Sequence, residues 1–114
     1  MTFNELQKKV ATTAKNHGFW DVDITNDPAS VDRKLMLIVG ELSEAHEEWR
    51  KGKLQTYYVE TATGKKPEGF FPELADAVIR IMDLCEQLGV SLEPSIVEKD
   101  FYNESRPYKH GKLF

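Results

Sequence analysis

Apolar residues recur along most of this chain at the three- and four-residue steps of an α-helix, with polar residues between them. Phe3, Leu6, Val10 and Ala14 fall on one face. Thr2 and Glu5 have the spacing of a capping box at the start of that pattern, and Gly18 supplies a stop. A second helix is predicted from about Asp32 to Lys51, with Gly52 beyond its end. Its stripe of Leu35, Ile38, Leu42, Ala45 and Trp49 alternates steps of three and four, as a packing seam does. A third begins around Pro72, a residue suited to a first turn. It carries Leu74, Ala75, Val78, Ile81, Met82, Cys85 and Leu88 before Gly89 closes it. Ser91 is placed to cap a fourth helix running to about Asn103, with Pro94 in its first turn.

Two stretches break this pattern. Residues 18–28 read as a loop with two large aromatics, Phe19 and Trp20. Between Lys53 and Phe71, Tyr57, Tyr58, Val59 and Thr61 favour a strand, and residues 64–69 favour a turn. That insert is a short hairpin or a mobile flap. The expectation is therefore an all-α single domain over residues 1–114: a four-helix bundle with an irregular or hairpin insert between its second and third helices. A chain of 114 residues covers only about two-thirds of the surface it exposes when unfolded. The apolar stripes of the second and third helices are extensive for so small a monomer, so a homodimer or a dimer of dimers is expected to complete the bundle.

The net charge is −4 and the pI about 5.4, which argues against binding a nucleic acid polymer through its phosphates. A nucleotide substrate remains open, because a metal can supply positive charge. The single cysteine, Cys85, excludes a disulfide or Cys-type zinc site within one chain, and its apolar setting predicts a buried, inert thiol. No apolar run approaches the ~20 residues of a membrane span and no signal peptide is evident, so a soluble cytoplasmic protein is expected, in the host cytoplasm if a phage encodes it.

The chemistry lies in the carboxylates. Glu41 and Glu44 are three residues apart on the second helix, with Glu48 one turn further on; Glu73 and Asp76 repeat the spacing at the start of the third. Both pairs border apolar seams, so docking the helices crowds four acidic groups. A single Glu pair of this kind is usually only a solvated helix face. Two such pairs, on helices that dock, point to a divalent cation that relieves the repulsion. All-oxygen ligands select Mg²⁺, with Mn²⁺ able to substitute, and such a site commonly receives substrate phosphates. A di-iron bundle would want Glu-x-x-His pairs, and no His follows a Glu by three. His46 reads as a surface residue.

At these residues the chain resembles the MazG-like family of all-α nucleoside triphosphate pyrophosphohydrolases, and in particular its small phage and bacterial branch. The family's Glu-x-x-Glu pair is matched by Glu41 and Glu44, and its Glu-x-x-Asp pair by Glu73 and Asp76. Gly40 stands where the fuller pattern has a first glutamate, a departure shared with relatives that hydrolyse pyrimidine deoxynucleotides. The family's run of Lys, Asn and a basic residue near a proline is matched by Lys99, Asn103, Arg106 and Pro107. The segments 66–70 and 106–112 add to the likeness.

The resemblance implies a Mg²⁺-dependent enzyme that hydrolyses an NTP or dNTP at the α–β anhydride, giving the monophosphate and pyrophosphate for nucleotide pool control or house-cleaning. It also implies dimers or dimers of dimers. On that reading Glu41, Glu44, Glu73 and Asp76 hold one or two metals, which activate the attacking water. Glu44 or Glu48 accepts the water proton. Lys99 and Arg106 grip the distal phosphates, Asn103 bonds a phosphate or the sugar, and Lys109 joins them in substrate binding. Trp20 either stacks on the base or anchors its loop in the core. Two alternatives stay open: a non-catalytic helical partner protein whose carboxylates are only a polar face, and a phosphoribosyl-ATP pyrophosphohydrolase-like enzyme.

Overall fold

The computed structural model describes residues 1–20 and 27–111. It holds four α-helices, α1 (Phe3–Asn16), α2 (Pro28–Arg50), α3 (Phe70–Gln87) and α4 (Glu93–Glu104), and two strands, β1 (Tyr57–Thr61) and β2 (Gly64–Glu68), with a 3₁₀ turn at Tyr108–Gly111. The chain is thus mainly helical, and the insert between the second and third helices is an antiparallel hairpin. Among the described residues, no helix is long and apolar enough to cross a membrane. Residues 21–26, part of the expected loop, and 112–114 of the tail lie outside the described residues.

Helix α1 starts as the sequence predicts. The Thr2 hydroxyl accepts from the Glu5 amide at 3.1 Å, and the Glu5 carboxylate accepts from the Thr2 amide at 3.3 Å, so two amides that the helix leaves unpaired are satisfied reciprocally. Its buried face is rotated by one residue from the apolar stripe. Gln7 and Ala11 are the buried positions, while Leu6 is 41% exposed. Gln7 earns that place by hydrogen bonding. Its amide nitrogen donates to the Glu86 carboxylate at 3.0 Å and the Val90 carbonyl at 3.1 Å, and its oxygen accepts from the Leu92 amide at 3.2 Å. A buried polar side chain with every bond made ties α1 to the end of α3 without the penalty of an unpaired group.

Helix α2 begins four residues earlier than the pattern suggests, at Pro28, whose fixed φ and missing N–H suit a first turn. Asp27 accepts from the Ser30 hydroxyl and from the Arg33 guanidinium, each at 3.1 Å, which holds its carboxyl below the usual range. The expected α2 seam is only partly buried. Ile38 and Ala45 are covered, whereas Leu35, Leu42 and Trp49 stay about half exposed.

Helix α3 lies against both α1 and α2 and is the centre of the packing. It starts at Phe70, two residues ahead of Pro72. Met82 and Leu84 are buried, Leu84 beside Ile38, with Trp20, Val31 and Ile81 packed around that pair. Cys85 is half-buried rather than enclosed, and burial still pushes its thiol up.

Helix α4 departs furthest from expectation. Ser91 does not cap it; Leu92 occupies the cap position, and the Ser91 hydroxyl donates instead to Asn4 at 2.5 Å. None of the α4 residues is buried. Within one chain the packed body is therefore α1, α2 and α3, and a closed four-helix bundle is not formed.

Candidate metal and catalytic site

Docking of α2 on α3 brings the two carboxylate pairs together. One ligand oxygen from each of Glu41, Glu73 and Asp76 lies within 4.8 Å of the others. Glu44, one turn along α2 from Glu41, lies near enough for its charge to act on Glu73. Local helix geometry points each pair to one side, and the buried Ala45 and Ala77 let the two helices approach closely.

The electrostatics follow from that crowding. Glu73 is pushed from 4.5 up to about 7, first by burial, then by the neighbouring Glu44 carboxylate, and further by Glu41 and Asp76. Asp76 is raised by burial and by Glu41, against the opposing pull of Arg80 and Lys66. The Glu73 Oε2 atom is buried without a hydrogen-bond partner. A shielded, unpaired carboxylate oxygen among like charges is a costly arrangement for a metal-free protein and an ordinary one around a cation. The donors are all carboxylate oxygens, which fits Mg²⁺ or Mn²⁺ held by Glu41, Glu44, Glu73 and Asp76.

Three contributors have no local signature in the sequence. Arg80 donates from Nε to Glu41 Oε1 at 2.9 Å, across from one helix to the other. Its only sequence signal is the four-residue step from Asp76, which reads as an ordinary helix pair. Lys66, on β2, pairs with Glu68 at 3.2 Å and places its charge near Glu73 and Asp76. Tyr57, on β1, donates its hydroxyl to Glu48 Oε1 at 3.0 Å. The register sets Tyr57 opposite Glu68 and Val59 opposite Lys66, so all four side chains lie on one face of the hairpin.

The base of the hairpin is fixed. The Phe70 amide donates to the Lys53 carbonyl at 3.0 Å, and Phe70 packs on Trp49 with ring centres 5.4 Å apart. Gly69 sits at φ +126°, and a Cβ there would lie 2.9 Å from the Gln55 carbonyl oxygen, so only glycine fits.

A cavity of about 580 Å³ opens beside the cluster, between α1 and α3. Leu6, Val10, Phe19 and Ile79 give it apolar walls, and Glu41 and Asp76 form one end. Its size and mixed lining suit a small organic ligand with a charged end. Trp20 does not line it. The indole N–H donates to Asp83 at 2.7 Å, and the Lys34 ammonium lies 4.5 Å from the ring centre. Asp83 is buried, which pushes its carboxyl up, while the Trp20 and Gln87 hydrogen bonds pull it down. These contacts hold the Trp20 ring against α2 and α3 within one chain.

Lys99, Asn103, Arg106 and Lys109 are not gathered at the carboxylates. Lys99 and Arg106 instead each lie 5.6 Å from the Tyr102 ring centre, and Asn103 is exposed on the same helix. Lys109 is exposed in the 3₁₀ turn, at φ 53°. Comparison of the chain with protein-family models, with curated proteins and with solved structures finds no match in any of the three.

Proposed function

We propose that this protein is a Mg²⁺-dependent nucleoside triphosphate pyrophosphohydrolase. The observation that carries the reading is the cluster of Glu41, Glu73 and Asp76, drawn together from two helices with a buried, unpaired oxygen on Glu73. A solvated polar face, as in a non-catalytic partner protein, would leave its carboxylates apart and near their ordinary pKa. The resemblance of the two pairs to the MazG-like family supports the same chemistry, and the adjoining cavity offers room for a nucleoside.

When bound, Mg²⁺ would supply the positive charge that accepts phosphate oxygens and acidifies a water molecule. Glu41, Glu44, Glu73 and Asp76 would hold it. Arg80 orients Glu41 through their bond and adds a cation beside the cluster, and Lys66 adds a second from the hairpin. A triphosphate with its α-phosphorus at the cluster would be attacked there, with pyrophosphate leaving toward the cations. The expected products from an NTP or dNTP are the monophosphate and pyrophosphate, not the diphosphate and phosphate. A panel of nucleotides assayed with Mg²⁺ in ¹⁸O-water tests this: the label should enter the monophosphate. Label in pyrophosphate, or no hydrolysis of any nucleotide, would overturn the assignment.

The roles assigned to Lys99, Asn103, Arg106 and Lys109 by the resemblance are joined to assembly, because α4 buries none of its residues within one chain. We propose a homodimer or dimer of dimers in which α4 packs on another copy. Ile96, Val97, Phe101 and Tyr102 on α4 are all exposed, as are Leu35, Leu42 and Trp49 on α2. Burying such faces against a second copy offsets the poor surface-to-volume ratio of a small chain. Light scattering at micromolar concentration should give at least twice the chain mass of 13.1 kDa. A fully active monomer would sink this part of the reading.

A further inference from the structure

Glu48 is placed differently from the clustered carboxylates of Glu41, Glu73 and Asp76. It follows Glu44 by one helical turn, on the α2 face that turns toward the hairpin. One of its oxygens, Oε1, accepts from the Tyr57 hydroxyl at 3.0 Å. The other, Oε2, is buried and has no hydrogen-bond partner. Tyr57 is itself held in place. It sits opposite Glu68 at the base of the hairpin, beside the Gly69 approach that admits no side chain. Burial and the neighbouring Glu48 push the phenol up to about 12, so it remains a donor throughout the physiological range. The result is a carboxylate fixed at one oxygen by a rigid partner, with its second oxygen free and shielded.

That is the arrangement a general base requires: one atom to orient the group, the other to take a proton. The converging oxygens are those of Glu41, Glu73 and Asp76, and the Tyr57 bond holds Glu48 on the hairpin side of them. We propose that Glu48 is the proton acceptor of the reaction and that Tyr57 is its positioning residue. This rests on the pyrophosphohydrolase reading above. In the step, the water oxygen forms a bond to the α-phosphorus, its proton passes to Glu48 Oε2, and the bond from the α-phosphorus to the bridging oxygen breaks. Pyrophosphate departs with that electron pair. The hairpin thereby belongs to the catalytic apparatus rather than being a passive insert.

The test uses the full chain and the dNTP it cleaves best. Glu48→Gln should lower kcat by about 10²-fold or more with KM little changed. Mn²⁺ affinity, followed by calorimetry, should stay within about twofold of wild type, while Glu73→Gln weakens it strongly. Tyr57→Phe removes only the hydroxyl and should lower kcat by about tenfold at unchanged KM. Added to Glu48→Gln, it should cost nothing further, because both act on one proton transfer. Tyr58→Phe is the control for the strand, since Tyr58 is 64% exposed on the opposite face, and it should behave as wild type. A Glu48→Gln variant with wild-type kcat, or one that loses Mn²⁺ binding, would overturn the proposal. So would additive losses in the double variant. A wild-type protein that releases no pyrophosphate would fell the underlying reading first, an outcome distinct from any of these.

Discussion

Replacing Glu73 with glutamine is expected to cut pyrophosphate release by about 10²-fold or more while raising the melting temperature of the metal-free protein. The two effects have one cause. Glu73 meets Glu44, Glu41 and Asp76 in a partly shielded space, and its buried Oε2 has no partner. Two like charges about 5 Å apart at an effective dielectric of about 20 repel by about 3 kcal/mol. Asp76 is exposed, so screening reduces that figure to about 1–2 kcal/mol, which is several degrees for a domain of this size. Glutamine keeps the shape, removes the charge and weakens the grip on a cation. Glu41→Gln, Glu44→Gln and Asp76→Asn should follow the same loss of turnover with helical circular dichroism intact. Two or more of the four retaining wild-type turnover would remove the cluster from the mechanism.

The second large effect is a reversal by metal of the pH dependence of stability. Glu73 has its folded pKa raised from 4.5 to about 7. A group raised on folding contributes stability that is fully present below its unfolded pKa and is lost as pH rises through the folded value. Between pH 5 and pH 8, the metal-free protein should therefore lose melting temperature relative to the Glu73→Gln variant, which lacks the titrating group. Mg²⁺ at 100 times its dissociation constant adds about 2.7 kcal/mol, or on the order of 10 °C. The increment should be largest at pH 8 and small at pH 5, where protons compete for the same oxygens. Thermal melts with and without Mg²⁺ at the two pH values measure both terms. No rise with Mg²⁺ at pH 8, or equal rises at both, would contradict a carboxylate metal site.

The parts of this site that sequence makes legible are those encoded by local geometry. A three-residue step on a helix points two side chains one way whatever the rest of the fold does, so the two carboxylate pairs stand out. So does the capping box of Thr2 and Glu5. What escapes is set by pairing across the fold. The partner of Arg80 is 39 residues away and that of Trp20 is 63 away, and nothing near either residue announces it. Tyr57 looks like a strand residue of no special kind, because its meaning lies in Glu48 on another element. Gln7 misleads in a related way. A hydrophobic pattern assigns the inward face to Leu6, and only the carbonyl, amide and carboxylate waiting near the end of α3 make a glutamine the better occupant. Helix α4 has a legible sequence and an unexpected position, since its apolar residues say that it should be covered without saying by what.

Gln7 also constrains the order in which the chain can assemble. Its three bonds span 79, 83 and 85 residues, so they join the first helix to the last turn of α3 and the residues just past it, made only after α2 and the hairpin. Closing so long a loop carries an entropic cost that the contacts recover only at the end. The α2–hairpin–α3 segment is contiguous and can gather its carboxylates by short-range folding, whereas α1 must wait for residues near 92 to leave the ribosome before its amide has anything to bind. For most of synthesis, the first helix made is a helix without a place to dock.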